Sequence, residues 1–191
     1  MENEKNPRRA FMKKSIALSA GLVLGSNLLQ TLDAEASTNF VSGSPIAANE
    51  KEFRMGVIGP AELSLATSRI AVDKASNKNA KEFAGFELAE AIAVTTVLKD
   101  LGTKVPAMDA KAKATLEKIK STPAGHEFDK AYIQAQLENH EFLRDLAQNY
   151  ISRGKMAGAA ENQGRHLAIL SLAVFKEHVA ITARIRKELG S

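Results

Sequence analysis

Four side chains in this sequence combine chemistry and spacing in a way that could build a polar centre: Glu62, Glu87, His140 and His178. Each falls on the apolar stripe of a helical repeat, where an ionisable group must be paired or ligated to be tolerated. From residue 128 onward Ile133, Leu137, Leu143, Ala147 and Ile151 recur at the helical period, and His140 points into their arc. His178 falls at the centre of a second arc made by Leu167, Leu170, Val174, Ile181 and Ile185. Glu87 lies among Phe83, Ala84, Ala91, Val94 and Leu98, with Glu90 beside them. Glu62 and Arg69 share the side of Met55, Ile58, Leu65, Ala66 and Ile70. Imidazole with carboxylate suits Fe, Mn, Zn or Cu. The same positions suit a metal-free network in which the histidines hydrogen-bond and Glu62 or Arg69 takes an ion-pair partner across the bundle. Removing one partner of such a buried pair costs about 3–5 kcal/mol. Periodicity is compatible with both.

Other chemistries find no support. The chain has no cysteine, which excludes disulfides, thiol catalysis and zinc–thiolate sites. There is no Gly-x-Ser-x-Gly, phosphate loop or dinucleotide fingerprint. His126 precedes a helix, and His166 lies at the edge of an apolar arc. The net charge is +4, but 26 basic and 22 acidic residues are interspersed, with no basic block for nucleic acid. No catalytic residue is assigned.

Four long helices are needed to carry these groups. The pattern predicts helices over about 50–75, 79–101, 126–153 and 157–189, with Ser76 or Asn77 capping the second and Gly102, Gly154 and Gly190 acting as stops. MDAKAKATLEKIKS at 108–121 predicts a short solvated helix capped by Asp109. No sheet pattern or repeat is visible. The expected fold is all-α: an antiparallel up-down-up-down four-helix bundle at 49–191, with the short helix between the second and third long ones. The helix midpoints then bring the four ionisable groups together. The wide apolar arc of the last helix, extended by Ala168, Ile169 and Leu172, suggests an enclosed helix or a homo-oligomer contact.

The first 36 residues read as an export leader. NPRRAFMKKS precedes a mild apolar run, and Arg8-Arg9 with Phe11 and Lys13-Lys14 resembles a twin-arginine signal. Ile16–Leu29 is shorter than the roughly 20 residues of a bilayer span. Ala34-Glu35-Ala36 therefore reads as a cleavage site rather than the flank of an anchor. STNFVSGSPIAA at 37–48 reads as a linker, and the mature protein as periplasmic, with no stable membrane span.

Several segments carry a resemblance: AELSLATSRIA, SNKNAKEFAGFELAEA, LGTKVP, FDKAYIQAQLENHEFL and FKEHV. Together they resemble domain of unknown function 4142, a family of small exported bacterial proteins grouped with ferritin-like four-helix proteins. Phe128-Asp129-x-Ala131-Tyr132 followed by His140 is the most specific piece. The resemblance implies a first-helix glutamate at Glu62, Asp-His pairs in the second and third helices, and a fourth-helix histidine at His178. Here those pairs read Glu90-Ala91 and Asn139-His140, so a histidine and an aspartate are replaced. Glu87, one turn before Ala91, is the available stand-in. The Glu-x-x-His pairs of diiron sites are absent, so ferroxidase chemistry is not implied. The expected function is a non-enzymatic binding or stress-related module with a polar core cluster, or a metal-binding protein.

Overall fold

The computed structural model of the chain describes residues 45–153 and 158–190. The expected leader, its cleavage site and linker residues 37–44 lie outside the described residues. Five helices and no strand occur among those described: α1 Glu50–Lys74, α2 Lys78–Asp100, α3 Ala110–Ser121, α4 His126–Arg153 and α5 Ala159–Glu188. The expected caps hold. Asn77 Oδ1 accepts from Ala80 N at 3.0 Å, and Asp109 Oδ1 from Ala112 N at 2.7 Å. At the start of α1, Asn49 Oδ1 accepts from Glu52 N while Glu52 reaches back to Ala48 N, a reciprocal cap.

The chain does not alternate up and down. A three-residue turn makes α1 and α2 antiparallel. Phe53 near the start of α1 stacks on Tyr150 near the end of α4, and Ser68 meets Tyr132 toward the other ends. So α4 also runs antiparallel to α1, and α2 and α4 run the same way. Tyr150 to Glu161 and Gln134 to Arg186 set α5 antiparallel to α4. The order is up, down, down, up, and segment 101–125 must travel the length of the molecule. Its first residue meets Arg54 in α1's opening turns, and Lys120 and Thr122 accept from Lys74 at α1's end. α1 is about 37 Å long and α3 about 18 Å, so the extended residues flanking α3 cover the remainder. α3 rests on α1 and α4 and encloses with them a mainly apolar pocket of about 150 Å³ that includes Met55, Leu63, Met108 and Phe142.

The core has two clusters, one around Phe83, Ile119, Phe128 and Tyr132 and one around Phe53, Ile58, Leu146 and Tyr150. The polar residues discussed below lie mainly between them. The buried face of α5 differs from the expected arc. Gly164, Ala168, Phe175, His178, Thr182 and Ile185 are buried, whereas Leu167, Leu170 and Val174 are 40%, 69% and 38% exposed. Close approach explains the rotation: a Cβ at Gly164 would collide with the Glu50 side chain. Gly164 and Ala168 occupy the close-packed part of that face, and Leu167, Leu170 and Val174 turn out; Phe86 and Val97 are likewise exposed on α2. By length and composition alone α5 is apolar enough to cross a membrane, yet it also carries a buried histidine.

Candidate metal centre

α2, α4 and α5 each contribute one side chain to a buried triangle. Glu87 Oε2 lies 3.3 Å from His140 Nε2 and 3.0 Å from His178 Nδ1, and the two nitrogens are 3.1 Å apart. All three residues are at most 5% exposed. A tetrahedral ion with bonds of about 2.0–2.1 Å has ligand–ligand edges of about 3.3–3.4 Å. Octahedral cis edges at the same bond length are about 2.8–3.0 Å. The observed edges of 3.0, 3.1 and 3.3 Å fall within the range these two geometries span, so with His178 Nδ1 deprotonated the three atoms have the spacing of one face of a coordination polyhedron.

The far nitrogen of each imidazole is held. His140 Nδ1 lies 2.8 Å from the Gln136 carbonyl oxygen, which can only accept, so Nδ1 carries the proton and Nε2 presents a lone pair to the triangle when the ring is neutral. His178 Nε2 lies 3.1 Å from Glu90 Oε2. Carbonyl and carboxylate partners of this kind orient metal-binding histidines. Phe83 meets His178 edge-on at 5.2 Å between centroids. On the other side a polar seam joins α1 to α4. Ser64 donates to Gln136 Oε1 at 2.8 Å and lies within hydrogen-bonding reach of Glu87, while Gln136 Nε2 donates to Thr67 at 3.0 Å. Asn139, at the position of the replaced aspartate, donates to Ser64 at 3.1 Å and to the Pro60 carbonyl at 3.2 Å.

The electrostatics follow from burial and these neighbours. Burial pushes the Glu87 carboxyl up, but the imidazoles of His140 and His178 outweigh it and hold the group at about 2. Burial pushes His178 down, and the carboxylates of Glu87 and Glu90 overcome it and raise the imidazole to about 9. A cationic His178 between two carboxylates closes the cluster without a metal. Glu87 Oε2 is buried and meets both imidazole nitrogens, at 3.0 and 3.3 Å; with both rings neutral and their facing nitrogens unprotonated, it would share the triangle with two lone pairs, a set of acceptors that a cation satisfies.

The remaining expected members lie elsewhere. Glu62 is turned away from the cluster and pairs with Lys99 at 2.6 Å beside the α3 pocket. Arg69 is exposed and does not enter the cluster. Both sit on the edge of α1's stripe, because Ser64, Thr67 and Ser68 face α4 in their place. Glu90 reaches the cluster only through His178. Sequence reasoning missed Ser64 and Gln136. Gln136 lies one turn before His140 on the same stripe, a signal that could have found it.

Against the triangle lies a cavity of about 40 Å³, walled by Val57, Ala61, Ser64, Ala91, Val94, Leu143 and Phe175, with the more exposed Val174 of α5 and Glu90 of α2 also lining it. A family model described as Domain of unknown function (DUF4142) matches residues 36–179. No curated protein and no solved structure matches.

Proposed function

This chain belongs to the DUF4142 family, whose description assigns no activity, and from the geometry we propose that it is a binding module that holds one divalent transition-metal ion on Glu87, His140 and His178. The observation that carries this reading is the triangle of 3.0, 3.1 and 3.3 Å edges with both histidines oriented from behind. Two histidines and one carboxylate suit Zn(II) in a tetrahedral site and Fe(II) or Mn(II) in a facial one. The residues bind and orient; no reaction is assigned to them, and Glu62 is not included among the ligands. Protein folded in the presence of Zn(II), Mn(II) or Fe(II) should retain about one ion per chain after desalting. His140→Ala and His178→Ala should retain none while keeping the helical far-ultraviolet spectrum. Wild-type protein that keeps no ion, and whose melting temperature ignores added metals, defeats the reading.

The pairing of His178 with both Glu87 and Glu90 favours a second reading, a hydrogen-bonded network that ties α2, α4 and α5 together without metal. Under it His140→Ala destabilises by roughly 1–3 kcal/mol with no metal dependence. The up-down-down-up order with one long crossover is the connectivity of ferritin-like bundles, and it supports assigning α1, α2, α4 and α5 to that class. We further infer export through the leader at 1–36. Cell fractionation should find a periplasmic chain starting at Ser37, and an unprocessed cytoplasmic chain would refute this.

A further inference from the structure

Resting on the metal reading above, we infer that the cavity beside Ala91 is a subsite in which a small monoanion of two or three heavy atoms completes the coordination of the bound ion. Three protein ligands leave at least one position of a divalent ion open. The cavity borders all three of them, and of the four helices only α2, through Glu87 and Glu90, adds more than one ionisable group to its lining. Apart from the Ser64 hydroxyl, the side chains that complete the wall are apolar, and the smallest of these, Ala61 and Ala91, leave the space free.

Size and charge define the occupant. A volume of about 40 Å³ admits about three water-sized atoms at about 15 Å³ each. A divalent ion with one carboxylate and two neutral imidazoles carries a residual charge of +1. In a buried apolar setting that charge is costly unless matched. One monoanion cancels it. Glu90 does not, because its carboxylate is engaged by His178 Nε2 and its side chain is 45% exposed. Hydroxide is the smallest such ligand, and azide or cyanate is about the largest that fits. Phosphate and sulfate are excluded by size and by their second charge. The Glu90 side chain and Val174, exposed at 45% and 38%, mark the side of the lining from which the occupant would enter.

The test uses the full chain loaded with Co(II), whose visible absorption reports coordination number and ligand type. Azide should shift the visible bands saturably, with a single binding constant, and phosphate at the same concentration should not. Ala91→Leu fills the cavity from α2 and Val174→Phe closes its outer side from α5. Neither residue is a ligand, so both variants should bind Co(II) as the wild type does while binding azide at least tenfold more weakly. Val174→Phe changes a partly exposed position, so the test survives if Ala91→Leu fails to fold. Cobalt uptake with no azide response, an equal response in both variants, or an equal response to phosphate overturns the subsite alone. Protein that takes up no cobalt overturns the metal reading and the subsite with it.

Discussion

Replacing Glu90 with Gln separates a positioning carboxylate from a ligand. Glu90 Oε2 is 3.1 Å from His178 Nε2, on the side of the ring facing away from the triangle. Losing such a partner lowers metal affinity about 10–100-fold. Because the Glu90 side chain is 45% exposed, solvent screening places it at the lower end, about tenfold. The assay is thermal unfolding with and without metal. At a free metal concentration of 100 times the wild-type Kd, binding stabilises the native state by about 2.7 kcal/mol. At the same concentration a tenfold weaker site gains about 1.4 kcal/mol. For a domain of this size the difference of about 1.3 kcal/mol corresponds to roughly 3–5 °C of melting temperature. Metal should therefore raise the melting temperature of Glu90→Gln about half as far as that of the wild type. Glu177→Gln, on an exposed residue next to His178, should match the wild type. A Glu90→Gln protein with the full metal shift refutes the positioning role. One with no shift refutes it in the other direction, because Glu90 would then be a ligand.

Two further predictions concern the metal-free protein. Asp129, 1% exposed in the first turn of α4, accepts from Ser76 N, Ser76 Oγ and Asn77 N at 3.0, 2.6 and 2.8 Å. Asp129→Ala should cost about 3–5 kcal/mol in urea unfolding, because bonds to a charged acceptor contribute about 1.5–3 kcal/mol each and Ser76 can partly rehydrate; a loss under 1 kcal/mol would contradict the clamp. With chelator present, stability should peak between about pH 4.5 and 6.5. His178, raised to about 9, contributes fully below its unfolded value near 6.5 and loses that contribution as pH rises through 9. Glu87, lowered to about 2, contributes above its unfolded value near 4.5 and loses that contribution as pH falls through 2. The alkaline loss should be on the order of 2–3 kcal/mol, and unchanged stability from pH 6 to 9.5 would overturn the pairing.

Helix boundaries were legible within about two residues because caps and stops are written locally, in Asn77, Asp109 and Gly190. His140, His178 and Glu87 were legible because a charged group on an apolar stripe is anomalous whatever its neighbours. The direction of α4 was not legible. It depends on whether 101–125 turns back at one end or runs the length of α1, and that is decided by contacts of Arg54 and Lys74 far away in sequence. The facing of α5 escaped for a similar reason. Hydrophobicity favoured Leu167 and Leu170, but the tight approach at Gly164 sets the rotation. Glu62 and Arg69 were placed inward by a period that could not distinguish the Ser64–Thr67–Ser68 stripe as the one paired with Gln136.

The three corners of the triangle come from three different helices, which the Asp129 clamp, the α4–α5 hydrogen bonds and the close approach at Gly164 also position. A one-residue slip of α5 rotates His178 by about 100°, and a one-turn slip moves it about 5.4 Å. Either breaks all the short distances at once. The cluster therefore acts as a registration mark: among the many compact ways to stack these helices, it singles out the one in which α2, α4 and α5 are in phase. That selection operates whether a proton or a metal ion holds the mark.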